Sequence, residues 1–194
     1  MPAGYRDKTF SDAFISAAFS SGDFVYSPGN AVFRLQDLKE SLVIQIPNLA
    51  NCDSSQNGIG PDLLFFLIIC TKYRFYAKHH QVLGFYRIHS GSISVESGVK
   101  KLTNHYNIAK AYFAFKYRND LIPRLNAQIL LALMSDKKAA AQWNLHSVTD
   151  FYPSQLTVVQ FDWSYMIRRI GSKLVSLGLV VWRTLLRGFK KVIE

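Results

Sequence analysis

The chain has 194 residues, 49% of them hydrophobic, and a net charge of +10. That is enough apolar side chain for a core, which argues against wholesale disorder, and the charge calls for an anionic partner such as a nucleotide phosphate, a phospholipid surface or a nucleic acid. Two cysteines, Cys52 in a polar stretch and Cys70 in an apolar one, give no support to a disulfide framework or a cysteine metal site.

Met1 to Lys8 lacks the apolar segment of a signal peptide, so the expectation is a cytoplasmic protein in a reducing compartment. In the helical register, Phe10, Phe14, Ile15, Ala18 and Phe19 share one face, which predicts a first helix ended by Ser20-Ser21-Gly22-Asp23. Tyr26-Ser27-Pro28-Gly29-Asn30 predicts a turn, because proline presets φ while glycine and asparagine accept positive φ. A second helix is expected around Leu35 to Ser41. Pro47 to Gly60 is polar and turn-rich, a loop of a length that usually moves or binds something.

Pro61 then suits the first turn of a helix, where Asp62 is favoured by the helix dipole. Leu63 to Cys70 is apolar all round, so this helix should be buried, yet it is far short of the roughly 20 residues that span a bilayer. Strands are expected at Arg74 to Lys78 and Val82 to Ile88, with a turn at Ser90-Gly91-Ser92. Leu102, Tyr106, Ala109 and Phe113 mark an amphipathic helix over Val99 to Arg118, and Leu125 to Met134 reads as another, entered through Pro123. Residues 135 to 160 read as an irregular segment carrying Trp143 and Phe151-Tyr152-Pro153.

The last segment, Trp163 to Ile193, predicts a long helix with Leu174, Leu177, Val181, Leu185 and Phe189 at helical spacing. From Ser164 onward seven cations face the single side-chain anion Glu194, which is +6 of the total charge. A basic amphipathic helix of this kind can lie in a membrane interface or pack on its own domain.

Asp62 is either a capping carboxylate or a general base for an acceptor hydroxyl, and Gly58 and Gly60 would let a substrate approach the backbone. On a strand, Arg87 and His89 project from one face, suited to phosphate or a divalent cation, or else simply solvated. His79, His80 and His105 have no partner at metal spacing and read as surface residues. Tyr112, Phe113 and Phe115 interleave with Lys110 and Lys116 as in a nucleic-acid platform, but the helical spacing favours core packing.

Three segments taken together carry a resemblance: Ser27-Pro28-Gly29-Asn30-Ala31-Val32-Phe33-Arg34, Gly58-Ile59-Gly60-Pro61-Asp62-Leu63-Leu64, and Phe85-Tyr86-Arg87-Ile88-His89-Ser90-Gly91-Ser92-Ile93-Ser94. In order and spacing they resemble the C-terminal half of a family 2 glycosyltransferase of the GT-A fold, the type that commonly builds bacterial surface polysaccharides. The resemblance covers about residues 20 to 118 and implies a partial α/β, Rossmann-like domain lacking its N-terminal nucleotide-binding unit and mostly helical as it stands. It would occupy residues 1–120, followed by a helical and loop extension over 121–162 and the basic tail helix over 163–194.

By the same resemblance Asp62 is the catalytic base, Gly29, Asn30 and Arg34 line the acceptor side, and Arg87 and His89 face the donor diphosphate. Mg²⁺ or Mn²⁺ is the implied cofactor, with His89 as a ligand. The implied partners are a nucleotide-sugar donor and a glycan or lipid-linked acceptor, with a membrane surface reached through the tail and no nucleic acid; the place of action would be the cytoplasm or the inner face of the plasma membrane. Pro61 stands where the family has a glutamate, and no Asp-x-Asp occurs in the sequence. The chain is therefore expected to transfer little sugar unaided, as a fragment or a degenerate homologue would. The competing reading, of a different class, is a non-catalytic membrane-associated interaction module.

Overall fold

A computed structural model describes residues 7–20, 31–55, 58–78 and 98–172, with the backbone alone for 7–9, 78 and 98–101. The expected turn at Gly29 and Asn30, the strand over Val82 to Ile88, His79 and His80, the Arg87 and His89 segment, and the tail beyond residue 172 lie outside the described residues.

The described chain is mostly helical. Strand β1 (Asp7–Phe10) leads directly into helix α1 (Ser11–Ala18), followed by α2 (Leu35–Ser41), α3 (Pro61–Lys72) and strand β2 (Phe75–Lys78). Next come α4 (Gly98–Tyr117), a 3-10 turn (Asn119–Leu121), α5 (Ile122–Ser135), the short α6 (Lys137–Ala141) and a second 3-10 turn (Val148–Phe151). Residues 163–172 form a last helix, α7. Among the described residues no helix is long and apolar enough to cross a membrane.

The strand over Arg74 to Lys78 is present as Phe75–Lys78, but its partner is the N-terminal segment. β1 and β2 pair antiparallel from Asp7↔Lys78 to Phe10↔Phe75, and the Ser11 N–H donates to the Arg74 carbonyl at 3.0 Å. Phe10 therefore ends a strand instead of opening a helix, and it lies half exposed against Phe75 with ring centroids 4.8 Å apart. The rest of the expected face, Phe14, Ile15, Ala18 and Phe19, is buried on α1.

α3 is the centre of the core. Proline at its start costs no hydrogen bond, since the first N–H groups of a helix have no partner within it. Leu63, Leu64, Phe65, Leu67 and Ile68 are buried, each contributing about 1.5–3 kcal/mol of apolar burial. They meet α1, α2 and α4, with Phe33 edge-on to Phe65 at 4.5 Å. Leu125, Ile129, Leu133, Val148, Phe151 and Tyr152 join the same buried cluster, so residues 121–162 complete the core that α3 begins. Two polar links fasten this region: the Tyr152 hydroxyl donates to Asn126 Oδ1 at 2.8 Å, and Asn126 Nδ2 donates to the Gln160 carbonyl at 2.8 Å.

His105 is not a surface residue. It is 1% exposed, its ring meets Trp143 edge-on at 5.0 Å, and its Nδ1 lies 3.8 Å from Cys52 Sγ. An imidazole can be buried when aromatic and sulfur neighbours surround it, a circumstance that spacing along one helix does not disclose.

Candidate functional site around Asp62

The loop before α3 is tied by its own side chains. Ser54 Oγ accepts from the Ile46 N–H at 2.9 Å and donates to the Ile44 carbonyl at 2.8 Å. Asn48 bridges to Cys52 through both its amide atoms. Backbone bonds from Leu49 N–H to the Tyr152 carbonyl, 2.8 Å, and from Ala50 N–H to the Asp150 carbonyl, 3.2 Å, fasten the loop to the C-terminal segment. Long loops gain fixed geometry through such bonds, and this one delivers the chain to Gly58 and Gly60 with φ of 59° and 107°.

The two glycines serve different needs. A Cβ on Gly60 would meet the His105 carbonyl at 3.1 Å and Ile46 Cδ1 at 3.4 Å, so the close approach is by α4 and not by a substrate. A Cβ on Gly58 would meet nothing within 4 Å, which leaves open space on the exposed side of the turn.

Asp62 sits in the first turn of α3 and is half-buried. Its Oδ1 accepts from the Leu63 N–H at 2.8 Å and the Gly60 N–H at 3.2 Å, which serves the helix start. Its Oδ2 faces the Tyr106 hydroxyl at 3.4 Å. Burial raises the carboxyl above the ordinary aspartate range, and the bonds from Leu63, Gly60 and Tyr106 pull it partly back. The two oxygens of one side chain are therefore divided between the backbone N–H groups of the helix start and the Tyr106 hydroxyl. Tyr106 was legible as a member of the apolar face of α4; the packing of α3 against α4 is what brings its hydroxyl to Asp62.

Arg34 is not brought to Asp62. Its guanidinium lies over the Tyr73 ring, 5.5 Å from the centroid, and Nη1 is 3.5 Å from the Tyr73 hydroxyl. That hydroxyl donates to Asp37 Oδ2 at 2.8 Å, and Lys72 pairs with Glu40 at 2.8 Å and Asp37 at 3.6 Å. Tyr73 caps the far end of α3, roughly 16 Å from Asp62 at the helical rise per residue. Arg34 thus belongs to a network that fastens α2 to the C-terminal end of α3.

Among the described residues no three His, Cys, Asp or Glu side chains converge as metal ligands. At Asp62 a single carboxylate oxygen beside a phenol is not a donor set for a hard divalent cation, which takes several oxygens. Any cation the resemblance implies would need ligands other than these, and no step below is routed through one. Cys70 offers no nucleophile either, because burial pushes its thiol up to about 11.

Core packing was expected of the aromatics on this helix; Lys110 among them is also buried, 6% exposed, with Nζ 5.9 Å from the Phe19 ring centroid. Phe113 is fully buried as expected, while Lys116 stays exposed over Tyr112 and Tyr117. No family model, curated protein or solved structure matches the chain.

Proposed function

We propose that the chain carries the acceptor side of an inverting, nucleotide-sugar-dependent glycosyltransferase of the family 2, GT-A type, with Asp62 as the base. The observation that carries this reading is the divided carboxylate. Oδ1 is held by two backbone N–H groups, while Oδ2, in a site that favours the protonated form, accepts only from the Tyr106 phenol among the contacts described. A carboxylate with a raised proton affinity is better matched to taking a proton from a sugar hydroxyl near neutral pH. The hydroxyl oxygen would then attack the anomeric carbon as the bond to the diphosphate breaks, with Asp62 retaining the proton. Arg87 and His89, with Mg²⁺ or Mn²⁺, belong to this reading through the ordered resemblance, as do Gly29 and Asn30. Arg34 would act there only by holding α2 against α3.

The reading is tested by fusing a family 2 nucleotide-binding half ahead of residue 1 and measuring sugar transfer and donor binding. Asp62→Asn should lower transfer at least a thousandfold and change the donor Kd less than twofold. Near-normal turnover in that variant would sink the assignment.

A second reading, the membrane-associated module, is favoured by one specific observation. On α7, Trp163, Ile167 and Ile170 are 63%, 70% and 43% exposed at spacings of four and three, beside exposed Arg168 and Arg169. An apolar stripe flanked by cations is what an anionic membrane surface accepts. Cosedimentation with phosphatidylglycerol vesicles, lost on deleting residues 164–194, together with no affinity for any nucleotide sugar in the intact chain, would select this reading over the first.

A further inference from the structure

The polar residues that the Asp62 site leaves unused gather on another face of α4. Thr103, Asn107 and Lys110 recur at spacings of four and three, to one side of Tyr106 around the same helix. They line a cavity of about 250 Å³ between α4, α5 and α7. Asn107 and Lys110 are both more than nine-tenths buried, at 4% and 6% exposure. Arg169 on α7 lines the cavity from an exposed position, and no carboxylate lines it. Gln128 donates its amide to the Phe19 carbonyl and closes the wall behind Lys110.

An ammonium removed from water without a counter-ion is costly, and a folded chain meets that cost by shedding the proton or by binding an anion. Among the described residues no acidic side chain pairs with Lys110. Burial lowers its amine to about 8, which leaves it largely charged at neutral pH. The facing titratable and charged groups on the cavity wall are Tyr165 and Arg169, neither of them a carboxylate.

We propose that this cavity binds a compact phosphomonoester, with Lys110 and Asn107 holding the phosphate inside and Arg169 engaging it at the rim. Lysine binds phosphate as a point charge and arginine as a fork. A carboxylate would leave part of this donor set unused, whereas a phosphate offers three acceptor oxygens. The volume of about 250 Å³ lies below the roughly 300–1,000 Å³ of pockets for larger ligands, which suits a small phosphate-bearing group better than a nucleotide sugar. The same headgroup chemistry is found on a free metabolite and on phosphatidic acid.

The test is calorimetric titration of the full chain with glycerol 3-phosphate, with acetate as the carboxylate control, and cosedimentation with vesicles containing phosphatidic acid. Glycerol 3-phosphate should bind at least tenfold more tightly than acetate. Lys110→Met should weaken it at least tenfold and Arg169→Gln severalfold. Vesicle binding that depends on Lys110, without binding of the soluble ester, assigns the site to the lipid headgroup. Vesicle binding indifferent to Lys110 with no soluble binding, equal affinity for acetate, or full affinity in Lys110→Met each overturn the proposal. A second measurement needs no variant: pyridoxal 5′-phosphate condenses with an amine to an imine and water, and borohydride reduces the imine to a stable secondary amine. Trapping on Lys110 should be suppressed by glycerol 3-phosphate, and trapping there that the ester leaves unchanged also counts against the site.

Discussion

Asp62 and Lys110 are two ionisable side chains that burial pushes in opposite senses, the carboxyl up and the amine down. Both shifts favour the neutral form, so both charged forms cost stability at pH 7. For Lys110 the displacement from 10.5 to about 8 corresponds to roughly 3 kcal/mol. Because its folded value is the lower one, its stabilising contribution is present above about pH 10.5 and is lost as pH falls through about 8. In thermal melts without ligand, Lys110→Met should therefore melt above the parent chain at pH 7, and the gap should close as pH approaches 10.5. A parent chain more stable than the variant at pH 7 would mean that the amine has found an internal anion. For Asp62 the folded value is the higher one, so its favourable share is present below the unfolded aspartate range and fades as pH rises. Asn at this position keeps an oxygen for the Gly60 and Leu63 N–H groups, so loss of transfer in Asp62→Asn should come without loss of fold.

The start of α3 shows which local signals carry through. Pro61 at the first position, Asp62 in the first turn and the Leu35–Ser41 helix were all legible, because the chemistry that starts a helix lies within a few residues of sequence. β1 was not legible: Phe10 fits the helical spacing of Phe14, and only its pairing with Phe75 makes it a strand. The burial of His105, read as a surface residue, and of Asn104, Asn107 and Lys110 on α4 was missed for a related reason. Hydrophobic periodicity finds the faces that packing requires, while polar burial depends on what other elements bring. The glycines before α3 permit a sharp distinction between two near-identical changes. Gly60→Ala must displace the His105 carbonyl at a φ of 107° and should cost about 2–4 kcal/mol. Gly58→Asn, at a φ of 59° with open space, should cost less than about 1 kcal/mol. Urea denaturation of the two variants measures both, and equal losses would refute the close approach at residue 60.

Taken whole, the molecule is a helical core in which residues from Phe14 to Tyr152 share one apolar cluster. The sequence pointed to its helices, to the burial of α3 and to the Asp62 turn. It did not reveal that Arg34 and Asp62 stand at opposite ends of α3, because a twelve-residue helix separates along its axis what a motif lists side by side. Nor did it reveal the Lys110 cavity, whose walls come from three helices and become neighbours only when the core closes. The pairing of β1 with β2 sets an order of events during synthesis. Phe10 and Phe75 are 65 residues apart, so at about 5–20 residues per second the first strand leaves the ribosome several seconds before its mate exists. During that interval Phe14, Ile15 and Phe19 on α1 have neither α3 nor the sheet to cover them, so the N-terminal segment should stay an exposed apolar peptide until α3 follows. Slower translation across residues 20–75 should lengthen that exposure without altering the finished fold.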